Sequence, residues 1–232
     1  MRAFFRVFTI VCAFCLAGGA QPARAVLFSA SDWTGIPGAV TDIFSSGVTG
    51  FSVTTPASGG NPGSALQLST SLVGSTAVTS RFIAFNGFTY DPGVSGAVDS
   101  FDYSVDTLRV AGAHGWGLGF MQDGFVYRLQ ITAGSSSFQT FSGTGLDASS
   151  LIDALNGPAG PGLDFSATGS EIVMGFYFFS GNGGAPSRSD TTLYDNWTIT
   201  LNQADIPVPA PGLAAIFAIG LVGTIIARNR RA

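Results

Sequence analysis

Hydrophobic and polar positions alternate with period two along most of the central chain, the signature of strands buried on one face. Phe101, Tyr103 and Val105 share one face of a predicted strand, with Asp102, Ser104 and Asp106 on the other. Over 125–132 the inward set is Phe125, Tyr127, Leu129 and Ile131, and near the end of the region Trp197, Ile199 and Leu201 alternate with Thr198, Thr200 and Asn202. The run 172–179 is apolar on both faces, as expected of a central strand covered on both sides. Turn-forming clusters punctuate these runs: Gly59-Gly60-Asn61-Pro62-Gly63, Asp91-Pro92-Gly93 and Asn182-Gly183-Gly184. Asp123-Gly124 between 116–121 and 125–132 predicts a tight hairpin. One segment, 149–156, reads as a helix, with Leu151, Ile152 and Leu155 on one side and Asn156-Gly157-Pro158 as its stop. Many short strands with polar, glycine-rich turns predict an all-β domain over 26–206, a single antiparallel two-sheet β-sandwich of jelly-roll type.

Both ends break this pattern. Arg2 and Arg6 flank the start of an apolar run over 7–16, and Ala23-Arg24-Ala25 follows as a small-x-small cleavage site. This predicts a secretory signal helix over 1–25, cut after Ala25, with Ala20 as the second choice. Residues 207–232 open with Pro207-Val208-Pro209-Ala210-Pro211-Gly212, continue as an apolar stretch over 213–227, and close on Arg228, Arg230 and Arg231. A helix over 212–227 would reach about 24 Å at 1.5 Å per residue, short against a bilayer core of about 30 Å. It is expected to hold in a membrane with its arginines snorkelling. Arginine clusters mark the cytoplasmic side, so the two ends together place the intervening domain across the membrane.

A proline-spaced motif, a short apolar helix containing Gly220 and Gly223, and a terminal arginine cluster together resemble the PEP-CTERM sorting signal of Gram-negative bacteria. Here Val208, Pro209, Ala210, Pro211 and Gly212 form the motif, with Ala210 where the family's name has Glu, and Arg228, Arg230 and Arg231 form the cluster. The resemblance implies an exosortase-type membrane sorting protease as partner, transient anchoring in the inner membrane, and release to the cell surface or the extracellular polysaccharide. The central domain is similar in its phrases at 59–66, 88–92 and 194–201 to cargo domains found ahead of such signals, which resemble laminin-B and concanavalin-like sandwiches.

Composition narrows the chemistry. Of 232 residues only 10% are charged, and 32 are Gly. The chain has no Lys, and both cysteines, Cys12 and Cys15, lie in the signal segment, so the mature domain has neither disulfide nor thiol chemistry. Within 26–206, four Arg against fourteen acids give a charge of −10, against −4 for the whole chain. Such a surface repels phosphate backbones, which excludes nucleic acid and disfavours anionic polysaccharides, while neutral glycans are unaffected.

Candidate chemistry is sparse. His114 is the sole histidine, too few for a usual zinc site, and it reads as a loop residue before a strand. Glu171 is the sole glutamate and is expected at a strand entrance rather than in a hydrolase pair. Gly143-Thr144-Gly145 mimics a dinucleotide fingerprint without a βαβ context, and Asn196-Trp197-Thr198 fits a glycosylation sequon inside a predicted strand. Asp190 and Asp195, read as part of a loop, are the calcium candidates, and no other cofactor is expected. Trp116, among Gly115, Gly117 and Gly119, is the candidate for stacking on sugar, weighed against a core position. The expectation is a non-enzymatic exported protein of the envelope or exopolysaccharide matrix. The alternatives are a lectin-like module for neutral glycans and, behind it, a glycan hydrolase.

Overall fold

A computed structural model describes residues 24–112, 114–132 and 135–204. Most of the signal segment, with Ala23, and the whole sorting motif, from Val208 through Arg231, lie outside the described residues. Among the described residues no helix is long and apolar enough to cross a membrane.

The domain is an all-β, two-sheet antiparallel sandwich. Sheet 1 is ordered β3 (Val48–Thr54), β4 (Leu66–Val73), β12 (Ser187–Gln203), β6 (Val98–Ala111), β9 (Gln139–Leu146), and β1 (Ala25–Ala30) also pairs with β12. Sheet 2 is ordered β10 (Ile152–Asp153), β8 (Phe125–Thr132), β7 (Gly115–Gln122), β11 (Ile172–Gly181), β5 (Val78–Tyr90), β2 (Pro37–Ser46). The predicted hairpin is present: Asp123 and Gly124 take φ of 52° and 81°, which matches the twist of the flanking strands.

The core lies between the inner faces. Trp197, Ile199 and Leu201 of β12 and Phe101 and Val105 of β6 meet Phe176 and Phe178 of β11 and Leu118 and Phe120 of β7. Phe85 sits at its centre, edge-on to Trp33, Phe176 and Trp197 at centroid distances of 5.4, 5.3 and 5.0 Å. Edge-to-face rings at these spacings add to the area term, which alone is worth about 1.5–3 kcal/mol per buried large side chain. Strand β11 is central and apolar on both faces, as predicted. Its Ile172, Met174, Phe176 and Phe178 face the core, while Tyr177, Val173 and Phe179 join a second apolar cluster with Phe82, Val126 and Ala154 on the outer face of sheet 2.

Two expectations are corrected. The segment 149–156 is no helix: a single 3-10 turn at Ala148–Ser150, capped by the Asp147 carboxylate on the Ser150 amide, gives way to β10. Leu151 returns to extended backbone, and Asp153 then accepts from the Leu155 and Asn156 amides to make a turn. Phe125 is not inward; it sits at the hairpin corner with 42% of its surface exposed, whereas Tyr127, Leu129 and Ile131 do face the core. The remaining short helix, α1 (Pro92–Ser95), forms over the predicted Asp91-Pro92-Gly93 turn, with Asp91 as its N-cap.

Candidate functional site

The outer face of sheet 2 carries the site. On β7, Trp116, Leu118 and Phe120 point into the core, so period-two alternation turns Gly115, Gly117 and Gly119 to the outside. The missing side chain at Gly119 is required. A Cβ there would stand 2.6 Å from the Phe82 ring, so the glycine leaves that ring its place against the strand. Phe82, Val126, Ala154 and Tyr177 thereby form a buried floor, against which Ile43 of β2 packs. The Tyr177 hydroxyl is held by Ser80 at 3.1 Å, and the Arg128 guanidinium lies 5.0 Å from the Tyr177 ring centre.

A cavity of about 230 Å³ borders this cluster at Ile43 and Val126, and is otherwise lined by Thr41 and Asp42 from β2 and by Gly124, Phe125, Asp153, Leu155 and Asn156 from the opposite edge. The hairpin turn places Phe125, and the Asp153 turn places Leu155 and Asn156. Asp153 is 3% exposed, and it accepts from the Leu155 amide at 2.8 Å and from the Asn156 amide at 2.6 Å. Gly160 packs so closely on Asp153 that a Cβ would fall 2.5 Å from the Asp153 Cβ. On the other wall, Asp42 accepts from the Arg81 guanidinium at 3.0 Å. Both carboxylates near the cavity are therefore engaged, one by a cation and one by a turn. The lining thus sets apolar Ile43, Phe125, Val126 and Leu155 beside polar Thr41, Asp42 and Asn156.

The residues singled out in the sequence fall elsewhere. Trp116 is fully buried, edge-on to Phe141 and Tyr194 at 5.5 and 5.3 Å, so it presents no face to a sugar; its flanking glycines open the outer face instead. Asp190 and Asp195 lie within β12 and not in a loop, and they point to opposite faces, so they do not share an ion. Asp190 faces inward, bonded to Arg188 at 2.7 Å and to Ser180. Asp195 faces outward opposite Asp106 of β6, accepting from the Asn61 and Asn196 amides and from Trp33 Nε1 at 3.4 Å. The Asp106 carboxylate in turn takes Asn61 Nδ2, Asn196 Nδ2 and the Thr140 hydroxyl. This network ties the loop at 59–63 to sheet 1. Among the described residues no group of three or more His, Cys, Asp or Glu is disposed to hold a metal.

His114 is buried just before β7, its Nε2 3.1 Å from the Tyr194 hydroxyl and its ring 4.7 Å from that of Phe178. Burial lowers its pKa to about 4, with Arg188 and Arg109 adding to the fall and Asp190 opposing it. Glu171 is exposed just ahead of β11, at a strand entrance as expected. Asn196 of the sequon has φ 47° in a bulge of β12, and its amide nitrogen is bonded to Asn61 and Asp106. The candidate residues that sequence reasoning did not single out as a site are Thr41, Asp42, Phe125, Leu155 and Asn156. Phe125 follows the Asp-Gly turn directly, and that position at a hairpin corner was the available signal.

No family model and no curated protein matches the chain. Solved structures do resemble it. A family 11 carbohydrate-binding module of the cellulosomal cellulase Lic26A-Cel5E of Clostridium thermocellum aligns at 18% identity, covering 79% of this chain and 90% of that one, with a TM-score of 0.40. The CBM22-1 xylan-binding domain of Paenibacillus barcinonensis Xyn10C aligns at 14% identity over 80% and 99%, with a TM-score of 0.38. A family 30 carbohydrate-binding module of a second cellulosomal cellulase of Clostridium thermocellum aligns at 14% over 72% and 99%, with a TM-score of 0.42.

Proposed function

We propose that the chain is an exported, non-catalytic β-sandwich that binds a neutral glycan at the cavity on the outer face of sheet 2. The observation that carries this reading is a cavity whose lining sets the exposed apolar residues Phe125 and Leu155 beside the polar residues Thr41, Asp42 and Asn156. A sugar ring has an apolar face of C–H groups and a rim of hydroxyls, and sites for it combine an apolar wall with a few placed hydrogen-bonding groups. Charge supports a neutral ligand. The Arg81 guanidinium is paired with Asp42 over the Phe51 ring of sheet 1 and is not part of the cavity lining, and the domain's charge of −10 repels anions. Binding is favoured over hydrolysis because the two carboxylates at the cavity, Asp42 and Asp153, are already engaged in structural bonds. Delivery to the envelope or the extracellular polysaccharide is assigned to the Val208–Pro211 motif and the Arg228, Arg230 and Arg231 cluster, read by an exosortase-type protease.

The test is calorimetric titration with a panel of neutral gluco-, manno-, xylo- and galacto-oligosaccharides, run beside a reducing-sugar release assay. Saturable binding with no sugar released is the expected result, and replacing Phe125 by Ala should weaken it about tenfold, the worth of one aromatic contact. Release of reducing ends that Asp153→Asn abolishes would make the site hydrolytic instead.

A further inference from the structure

We propose that β1 forms a two-fold contact between copies of this chain, sheet 1 of one copy continuing into sheet 1 of the next across the Ala25–Ala30 edge; this is independent of any glycan. Among the described residues β1 pairs with β12 and with no other strand. Every second residue along it therefore turns its backbone N–H and C=O away from the sheet. Folded proteins guard such edges with charge, proline, bulges or shortness. The other edges of this sandwich are guarded. β2 carries Pro37 and Asp42 and breaks register twice, β3 and β9 each break register once, and β10 has two residues. β1 reads Ala-Val-Leu-Phe-Ser-Ala, holds no charge and no proline, and runs six consecutive pairs with β12 without a shift.

Side chains and charge choose a second copy as the occupant. Val26 and Phe28 pack on the core, which turns Leu27 to the outer face of sheet 1, in line with Thr200 and Asp102. Leu27 is 64% exposed there, a large apolar side chain in a polar row. Opposed residues of an antiparallel pair share a face, so a two-fold axis at Leu27 sets Leu27 against its own counterpart and Val26 against Phe28 of the second copy. Apolar meets apolar on both faces. The same register brings Arg24 opposite Ala30 of the second copy, two residues from its Asp32, and both charged groups are exposed. Each end of the ladder thus offers a cation to an anion. A signal cut after Ala25 keeps a positive charge at that end, on the new amino terminus of Val26.

The test is sedimentation of the full chain in zwitterionic detergent, at physiological salt so that the domain's charge of −10 is screened, over a roughly hundredfold range of concentration. A monomer–dimer equilibrium is expected, weakened about tenfold or more by Leu27→Lys, which places a charge on the edge. Leu27 is exposed, so this variant should keep the wild-type melting temperature. Cross-linking reads the register. In a Cys12→Ser, Cys15→Ser background, Leu27→Cys supplies one thiol per chain. Opposed Cα atoms stand about 4.5–5.5 Å apart, within the ~4.4–6.8 Å that a disulfide spans, so diamide should give a covalent dimer. Val110→Cys, at a position 58% exposed on β6, should give none. A monomer at every concentration, a dimer that Leu27→Lys leaves as tight as wild type, or equal cross-linking from Leu27 and Val110 would each overturn the proposal. A dimer held by the 207–232 segment falls under the second of these outcomes, since it would survive Leu27→Lys.

Discussion

His114 shows how one buried side chain ties stability to pH. In the fold its Nε2 meets the Tyr194 hydroxyl, Nδ1 has no partner among the described residues, and burial holds the pKa at about 4, against 6.5 for the unperturbed group. The folded state therefore keeps the ring neutral where the unfolded chain already takes up a proton. Stability from this source is intact above pH 6.5, falls as pH drops towards 4, and is fully lost below that. The gap of pKa values corresponds to about 3 kcal/mol at the lower limit. Urea midpoints at pH 7.5, 6, 5 and 4 should decline in the wild type and decline less in His114→Phe, the difference between the two isolating the imidazole from the carboxylates. Parallel curves for the two proteins would mean that the ring is not held neutral. Asp190 and Asp195 teach a related lesson at this scale. Spacing in sequence suggested a shared ion, but an odd separation within a strand sends the two carboxylates to opposite faces.

At the scale of elements, the β7–β8 hairpin concentrates the demands for glycine. Gly119 has ordinary backbone but no room: a Cβ would meet the Phe82 ring at 2.6 Å and the Phe176 backbone at 3.0 Å. Gly124 has room but a φ of 81°, which a side chain adopts only at a cost. Gly119→Ala should therefore destabilise by roughly 1–3 kcal/mol through overpacking, and Gly124→Ala by about 1 kcal/mol through backbone strain. Only the first should alter the near-ultraviolet signal of the aromatic cluster, so chemical denaturation with near-ultraviolet circular dichroism separates the two causes. The strands themselves were legible because alternation is a local signal: the inward sets on β6, β8 and β12 follow from side-chain order alone, apart from Phe125. The outer cluster on sheet 2 was not legible. It depends on which strands pair, with Phe82 of β5 set between β2, which carries Ile43, and β11, which carries Tyr177, and no spacing within one strand reports its neighbours. The misread segment 149–156 failed for the opposite reason. Its apolar spacing fits a helical turn, but Asp147 and Asp153 each capture backbone amides locally and leave one 3-10 turn where a helix was expected.

For the whole molecule, the decisive feature is that the last strand among the described residues is a central one. β12 pairs along its length with β4, β1 and β6, and it supplies Tyr194, Trp197, Ile199 and Leu201 to the core, all fully buried. At about 1.5–3 kcal/mol each, these four side chains alone are worth roughly 6–12 kcal/mol, comparable to the entire 5–15 kcal/mol stability of a typical domain. The sandwich therefore cannot close until the chain is complete to residue 203. The N-terminal boundary is set by the same strand: Ala25 lies opposite Asn202, and the Gln203 amide donates to the Arg24 carbonyl at 2.8 Å. Gln203 also reaches Tyr90 and Ser95, and the Ala204 amide donates to Ala97 at 2.9 Å, which fixes the chain up to that point. Digestion of the full chain with a non-specific protease should leave a resistant core bounded close to Arg24 and Ala204, read by intact mass. A chain ending at Gly181 should be degraded throughout. The same mass measurement on membrane and medium fractions of producing cells tests the two addresses. Loss of both ends, with a product near this core in the medium, is expected of a processed sorting signal, whereas a retained Arg228–Arg231 cluster in the membrane fraction would make the protein a permanently anchored one. The expected cut after Ala25 would also remove the Arg24 and Ala25 pairings with β12, so that form should melt below one cut after Ala20, by an amount corresponding to about 1 kcal/mol.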